Sequence, residues 1–306
     1  MKKELPNKQT FNLEVSKRVD TKLRTRFGMP PFSVLHSMDG EWLQRKRLWT
    51  ELGIQSEIGR DAECLKTGIG EKYGRKEMTG TSIFDPVLCE LMYDWFCPEK
   101  GSILDPFAGG SVRGIVANFI GFNYTGVDLR KEQIKANKIQ GRTILGAENS
   151  PKWLCGDSLQ VVPTIEDTFD MIFTCPPYGD LEVYSDLAED ISNMTYAEFV
   201  PIYKAIIKES VLKLKPNRFA VYVVANFRDK KTGFFNDLVG DTVAGFIEAG
   251  LYYYNEIILQ NSIGTLPVRA GKIFTISRKI GKMHQNILVF YKGENHKDIQ
   301  TEFNIS

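Results

Sequence analysis

At residues 103–111 the chain reads ILDPFAGGS, an apolar run that ends in an acid and then meets a glycine-rich turn. This pattern is typical of a buried strand followed by a tight turn and a helix. Two further strand-like runs also end in acids, YTGVD at 124–128 and WLCGD at 153–157. Helical segments separate these runs, so the sequence predicts an α/β fold of Rossmann-like type, a mostly parallel sheet with helices on both faces.

The remaining segments extend this alternation to a predicted seven-stranded sheet. Strands are expected at 102–105, 124–128, 153–155, 169–174 and 219–224, and helices at 85–96, 111–120, 131–140, 195–214 and 236–249. Two late strands, 251–260 and 286–292, are expected to form an antiparallel hairpin at one edge of the sheet. The first 80 residues do not follow the alternation, although WLQRKRLW at 42–49 predicts a basic amphipathic helix.

A second loop, TCPPY at 174–178, follows the apolar run FDMIF at 169–173. The first and fourth strands of such a sheet are neighbours at its switch point, where ligands bind beyond the carboxyl ends of the strands. We therefore expect this loop and the glycine-rich turn to face each other across one crevice. The glycines allow close approach of backbone to a ligand, and the helix that follows them points N–H groups at it.

The acids at the strand ends favour a nucleoside ligand. Asp128 can accept hydrogen bonds from both ribose hydroxyls, and Asp157 can accept one from an adenine amino group. An Asp at a strand end is often only a helix cap. Because Asp105, Asp128 and Asp157 each stand at the end of a predicted strand, the nucleoside interpretation is better than that of three separate helix caps.

These two loops resemble the S-adenosylmethionine-dependent DNA methyltransferases that modify cytosine N4 or adenine N6. Residues 105–110, DPFAGG, resemble the cofactor motif D-P-F-x-G-x-G, with Ser111 in place of its last glycine. The resemblance implies S-adenosylmethionine as cofactor, and TSIFDP at 81–86 stands where the family contacts the methionine carboxylate. The cofactor candidates are Ser82, Phe84, Asp105, Phe107, Gly109, Ser111, Asp128, Asp157 and Thr174. Ser82 as a helix N-cap and Phe84 as a core aromatic are nearly as well supported.

The catalytic candidates are Cys175, Pro176, Pro177 and Tyr178. The lone pair of an aromatic amine is delocalised, so the site must accept hydrogen bonds from the amino group to free it. The carbonyl of Pro176 and the residue before the prolines are the expected acceptors, and Tyr178 is expected to stack on a flipped base. The family has Asp, Asn or Ser where this chain has Cys175, and the serine-like shape of Cys favours cytosine N4 slightly. A cytosine C5 nucleophile would stand after the proline instead.

Two basic regions are candidates for contact with DNA. Residues 1–26 hold eight Lys or Arg and three acids, and residues 261–285 hold five Lys or Arg and no acid. The second region predicts a long phosphate-contacting loop, although a solvated surface explains such a patch about as well. Its candidate residues are Arg269, Lys272, Arg278, Lys279, Lys282 and His284.

We expect an N-terminal extension at 1–80, a catalytic domain at 81–293 and a tail at 294–306. The acidic stretch 179–195 is expected to cover the site as a lid.

The bulk composition limits the class of protein. The 306 residues are 42% hydrophobic and 25% charged, with a net charge of +1, as in ordinary globular proteins. No apolar run is long enough for a membrane span and the first residues have no signal-peptide core, so the cytoplasm is expected. The five cysteines form no C-x-x-C pair, so neither a disulfide framework nor a metal site is expected.

Three segments, MPPFSVL at 29–35, the run at 42–49 and SRKIGKMHQNILVF at 277–290, resemble methylase-like proteins of phages and prophages. That resemblance covers about residues 26–293 and implies an enzyme that modifies phage DNA in the host cytoplasm. Two alternatives stay open. RNA guanine-N2 and protein-glutamine methyltransferases use a similar loop, and a non-catalytic subunit would keep the fold without turnover.

Overall fold

In the computed structural model, residues 26–55, 84–178, 190–299 and 303 are described. The basic stretch 1–25, Ser82 and residues 179–189 of the acidic stretch lie outside them. Ten strands occur in the described residues: β1 Val34–His36, β2 Ser102–Asp105, β3 Asn123–Asp128, β4 Lys152–Cys155, β5 Phe169–Thr174, β6 Leu214–Val224, β7 Phe227–Arg228, β8 Phe235–Asn236, β9 Tyr252–Gln260 and β10 His284–Lys292.

Eight of these strands form one sheet, in the order β1-β9-β10-β6-β5-β2-β3-β4, and β7 pairs with β8 in a separate hairpin. Strand β10 is antiparallel to both of its neighbours, whereas the other pairs in the large sheet are parallel. The predicted Rossmann-like α/β class is confirmed. The sheet has eight strands rather than seven, because β1 pairs with β9 and covers the hairpin that was expected at the edge.

The α-helices in the described part of the chain are α1 Gly40–Glu51, α2 Pro86–Phe96, α3 Val112–Phe119, α4 Lys131–Leu145, α5 Ser158–Thr164, α6 Tyr196–Lys213, α7 Leu238–Glu248 and α8 Leu266–Ser277. Alternate strand residues point to opposite faces, and two buried clusters result. One cluster joins Ile103, Met171 and Val221 to α1, α2, α3 and α4. The other joins Leu104, Ile172 and Tyr222 to α5, α6 and α7. Helices therefore cover both faces of the sheet.

Helix α1 is the basic helix predicted over residues 42–49, and it packs into the core. Trp42 and Trp49 are buried, and the guanidinium of Arg45 forms a buried ion pair with Glu90 of α2. Burial raises the pKa of Glu90, although the charge of Arg45 and a hydrogen bond from Trp49 lower it. Asp85 caps α2 and also accepts hydrogen bonds from Trp42 and Lys46. The segment 26–55 is thus joined to the sheet by both apolar and charged contacts.

The segment 261–285 differs from the long loop that the sequence predicts. It contains α8, a helix of 12 residues with no buried side chain. Its apolar residues are exposed, so they gave no clear core-facing stripe that would have indicated a helix. His284 belongs to β10 rather than to the loop. Strand β6 also begins earlier than expected, at Leu214, with an irregularity in its pairing to β5 before Phe219.

Candidate active site

A cavity of about 830 Å³ opens at the carboxyl ends of the parallel strands. Its position follows from the topology, since β2 and β5 are hydrogen-bonded neighbours and the connections from these strands run in opposite directions along the sheet. The glycine-rich turn after β2 and the Pro-Pro loop after β5 both line this cavity. The expectation that the two loops face one crevice is therefore confirmed.

The glycine-rich turn is shaped by Gly109, whose φ of +51° lies in the left-handed region that favours glycine. Its N–H donates to Asp128 Oδ2 at 2.9 Å, which joins the turn to the end of β3. Phe107 and Gly109 line the cavity. Ser111 precedes α3 but is buried, and its hydroxyl donates to Gln140 Oε1 at 3.1 Å. The structure thus places Ser111 behind the turn rather than at the cavity.

Asp105 is fully buried beneath the turn and is not among the cavity-lining residues. Its Oδ1 accepts from the Phe107 N–H at 3.0 Å and from the Thr174 hydroxyl at 2.5 Å. Its Oδ2 accepts from Arg113 Nε at 2.5 Å and from the Tyr124 hydroxyl at 2.6 Å. Because four donors use its lone pairs, Asp105 holds the turn together, and Thr174 joins this network from the end of β5.

Asp128 is half-buried and lines the cavity. Burial raises its pKa to about 6, although the N–H groups of Arg130 and Gly109 lower it. Each carboxylate oxygen accepts one of these backbone N–H groups, at 2.9 Å in both cases. Each oxygen keeps a second lone pair for a ligand hydroxyl. The two backbone N–H groups therefore fix the orientation of the Asp128 carboxylate, and its pKa of about 6 is well above the ordinary value for Asp.

Asp157 both caps a helix and lines the cavity, so the helix-cap role and a ligand-binding role are compatible. Its Oδ1 caps α5 by accepting from the Leu159 N–H at 3.0 Å. Among the described residues, none donates to Oδ2, and Asp157 lines the cavity. One carboxylate oxygen is thus structural and the other is available to a ligand amino group.

The Pro-Pro loop brings Cys175, Pro176, Pro177 and Tyr178 to the opposite side of the cavity. The Cys175 thiol lies 3.6 Å from the Tyr178 hydroxyl. Gln285 of β10 donates from Nε2 to the same hydroxyl at 2.9 Å. These contacts hold the tyrosine ring across the loop, so its orientation does not depend on the prolines alone.

Phe84 also lines the cavity, as the interpretation of residues 81–86 requires. Its ring packs edge-on against Phe173 at a centroid distance of 5.7 Å, and the Arg113 guanidinium lies 4.6 Å from its centroid. Phe84 is also partly buried against the core, as the alternative interpretation of a core aromatic expects. The N-cap of α2 is Asp85, not Ser82.

The predicted DNA-contacting residues separate into two sets. Lys282 and His284 line the cavity beside the Pro-Pro loop. Desolvation lowers the pKa of both side chains, and the charge of Lys282 lowers that of His284 further. Arg269 and Lys272 lie on α8, and Arg278 and Lys279 directly follow it. This second set lies outside the cavity lining.

Sequence reasoning missed several cavity residues. They come from the turn after β1, from α1, from the residues just after β6 and β9, and from β10: Ser37, Met38, Leu43, Lys46, Asn226, Asn261 and Gln285. Nothing local marks these positions, because strand order alone brings them together. Arg113 was also missed, although its place one helical turn after the glycines was a usable signal.

Within residues 26–55, 84–178, 190–299 and 303, no group of three or more His, Cys, Asp or Glu side chains is arranged to hold a metal ion. None of the helices in that part of the chain is both long and apolar enough to cross a membrane.

Comparison with known proteins gives a likeness of fold. No family model and no curated protein sequence matches the chain. TrmN from Thermus thermophilus is similar in structure, with 14% identity and a TM-score of 0.46 over 68% of this chain and 49% of that one. The chain therefore spans about half the length of TrmN.

Two further structures are similar to the same extent. A putative RNA methyltransferase, PH1948 from Pyrococcus horikoshii, has 14% identity and a TM-score of 0.47, over 82% of this chain and 100% of that one. Magnesium protoporphyrin IX methyltransferase from Synechocystis PCC 6803, crystallised with bound SAM, has 14% identity and a TM-score of 0.41, over 67% and 76%. Likenesses this distant do not extend to substrates, so the function is argued from the site.

Proposed function

We propose that this chain transfers a methyl group from S-adenosylmethionine to the exocyclic amino group of a base flipped out of DNA. Cytosine N4 is favoured over adenine N6 because Cys175 has the shape of serine. The observation that carries the proposal is the shared cavity, with Gly109, Asp128 and Asp157 on one side and the Pro-Pro loop on the other. Its volume, about 830 Å³, is in the upper range of small-molecule sites.

The residues on the cofactor side fit a nucleoside. Asp128 offers one lone pair on each oxygen, as a ribose with two adjacent hydroxyls requires. Asp157 offers Oδ2 to an amino group while Oδ1 stays with α5. When bound, the cofactor supplies an electrophilic methyl group on a positively charged sulfur.

The residues on the base side fit an aromatic amine. The prolines fix the backbone of the loop, which lets the carbonyl of Pro176 accept a hydrogen bond from the amino group. Cys175 is a second, weaker acceptor, and the Tyr178 ring offers a flat surface for stacking. Since Gln285 and Cys175 both contact the Tyr178 hydroxyl, this surface is set before a base enters. Such preorganisation commonly contributes about 10²–10³-fold to the rate per acceptor or donor.

The charge distribution supports a nucleic-acid substrate. Lys282 and His284 lie at the base side of the cavity, and the basic residues on and after α8 continue from there over the surface. No acid interrupts residues 261–285. Phosphate contacts of this kind position a duplex, while the cavity receives the base. Modification of phage DNA against host restriction is the setting that the sequence resemblance implies.

The direct test is methyl transfer from isotopically labelled S-adenosylmethionine to unmodified DNA, followed by nuclease digestion and mass spectrometry of the nucleosides. Labelled N4-methylcytosine is the expected product, and N6-methyladenine would reverse the preferred base within the same class. A matched reaction with Tyr178→Ala protein controls for contaminating host methylases.

The same assay distinguishes the alternatives. Label found in RNA guanine or in protein glutamine, and none in DNA, would replace the DNA substrate while keeping the chemistry. Cofactor binding without transfer to DNA, RNA or protein would identify a non-catalytic subunit.

A further inference from the structure

Arg113 lies on the first turn of α3, and its side chain folds back beneath the glycine-rich turn. Nε donates to Asp105 Oδ2 at 2.5 Å. Nη2 donates to the carbonyls of Phe107 at 2.5 Å and Ala108 at 2.9 Å. Among the described residues, none accepts a hydrogen bond from Nη1.

The remaining donor faces the cavity. Arg113 is one of the cavity-lining residues although only 5% of it is exposed. In the described residues, Nη1 of Arg113 does not belong to the set of fully buried side-chain nitrogens that lack a hydrogen-bond partner. It therefore has access to open space, and the open space beside it is the cavity.

The surroundings of the Arg113 guanidinium favour its protonated, positively charged form. Burial lowers the pKa of Arg113, but the Asp105 carboxylate together with Tyr124 and Cys175 raises it, so the pKa lies above its ordinary value. The ring of Phe84 covers the guanidinium at 4.6 Å from the ring centroid, which shields it from water. Asp105 already accepts four hydrogen bonds, so it offers no further acceptor to a ligand.

We propose that Arg113 binds the carboxylate of the cofactor's amino-acid chain through Nη1. This inference rests on the proposed function. A guanidinium with one donor nitrogen turned to the cavity favours an anion, and the carboxylate is the anionic group of S-adenosylmethionine. The N-terminus of α3 adds N–H groups and a partial positive charge at the same place.

The alternative is that Arg113 is only a structural clamp for the turn. The two roles differ in what they predict for a ligand that lacks the carboxylate. A clamp supports every nucleoside ligand equally, whereas an anion-binding residue discriminates in favour of the carboxylated ligand.

The experiment is calorimetric titration of the full chain with S-adenosylhomocysteine and with its decarboxylated analogue, 5′-deoxy-5′-(3-aminopropylthio)adenosine. We expect the wild-type protein to bind the carboxylated ligand about 10- to 100-fold more tightly, as a charge-assisted hydrogen bond provides. In Arg113→Met that ratio should fall to near 1. Asp128→Asn is the matched control, because it should weaken both ligands and leave the ratio unchanged.

Arg113→Met leaves the buried Asp105 without its ion-pair partner and can fail to fold. The double variant Arg113→Met/Asp105→Asn removes both charges and is titrated in the same way. If the wild-type protein binds S-adenosylhomocysteine and its decarboxylated analogue with equal affinity, the inference about Arg113 is wrong. The proposed function then still stands, because both ligands bind. A wild-type preference that survives in either Arg113 variant also overturns the inference, since the carboxylate is then held elsewhere. Failure of the wild-type protein to bind either ligand overturns the proposed function instead.

Discussion

The two sides of the cavity are built in different ways. The cofactor side consists of short loops that directly follow β2, β3 and β4, and Asp105 and Asp128 join neighbouring loops by hydrogen bonds. The base side combines the loop after β5 with Gln285 of β10, which contacts Tyr178 from 107 positions away in sequence. The difference indicates that cofactor binding depends on local loop geometry, whereas acceptance of a base depends on how distant segments meet. Substitutions on the two sides should therefore affect cofactor binding and methyl transfer differently.

The largest expected effect is on the base side. Tyr178→Ala removes the stacking surface and the group that contacts Gln285 and Cys175, so methyl transfer should fall by at least about 100-fold. Cofactor affinity should stay within about twofold, because Asp128 and Asp157 are untouched. Single-turnover transfer and calorimetric binding of S-adenosylhomocysteine measure the two effects. Tyr178→Phe is the matched control, since it keeps the ring and loses only the hydroxyl. Equal losses of binding and transfer would mean that the two sides are not independent.

The reverse pattern is expected from Asp128→Ala. Loss of hydrogen bonds to a charged acceptor should weaken cofactor binding by about 10- to 100-fold. Transfer at saturating cofactor should change much less. The dissociation constant and the rate at saturation are measured separately. Unchanged affinity would show that the ribose is not held at this carboxylate.

A third prediction concerns the basic residues outside the cavity. Arg269→Gln, Lys272→Gln and Arg278→Gln together should lower DNA affinity by about tenfold and reduce the salt slope of log K by up to about 2.7, if each cation contacts a phosphate. All three side chains are exposed, so thermal stability should not change. Lys131→Gln, an exposed cation at the start of α4, is the matched control. An unaltered salt slope would assign DNA contact to another surface.

The pH dependence of cofactor binding follows from Asp128. Its pKa is raised to about 6, so the carboxylate is ionised above that pH and becomes protonated below it. A protonated carboxyl loses the charge that strengthens its bonds to hydroxyl groups, so affinity should be constant above pH 6 and fall by up to about tenfold per unit below it. Titrations between pH 5 and 8 test this, and Asp128→Asn should abolish the inflection. An inflection that persists in Asp128→Asn belongs to another group.

The smallest effect is expected from Cys175→Ser. A hydroxyl accepts a hydrogen bond better than a thiol does, so transfer should stay the same or rise by a few fold. Cys175→Ala, which removes the acceptor, should be slower than both. Rates on the same DNA under single-turnover conditions compare the three proteins. Complete loss of transfer in Cys175→Ser would show that the thiol has a role other than accepting a hydrogen bond.

The sequence predicted which strand-end loops line the cavity after β2, β3 and β4, because each loop follows a strand that hydrophobic patterning reveals. The turn at Gly109, the acids Asp128 and Asp157 and the loop at 174–178 all lie where strand order puts them. The sequence did not predict that the side chains of Asp105, Ser111 and Thr174 are fully buried below the cavity surface. They belong to the predicted elements, but the structure turns their side chains away from the cavity into a buried network.

Charge was the least informative part of the sequence, as the two basic helices show. Helix α1 carries three Lys or Arg and α8 carries two, and neither net charge nor spacing distinguishes their environments. Helix α1 buries Arg45 against Glu90 and packs two tryptophans into the core, while α8 buries no side chain. The difference depends on whether a partner surface exists, which is a property of the folded chain.

What the sequence alone determined is therefore the alternation of strands and helices, and with it the α/β class and the position of each strand-end loop. This information is local, since it depends on side-chain periodicity and turn residues within a few positions. Only the tertiary structure decided that β1 covers the sheet edge, that Gln285 contacts Tyr178 and that Arg113 turns one nitrogen to the cavity. Gln285 and Tyr178 are 107 positions apart, and Ser37, which follows β1, donates to the carbonyl of Gln260 of β9 from 223 positions away. They arise when strands are ordered in a sheet, and no local pattern encodes that order.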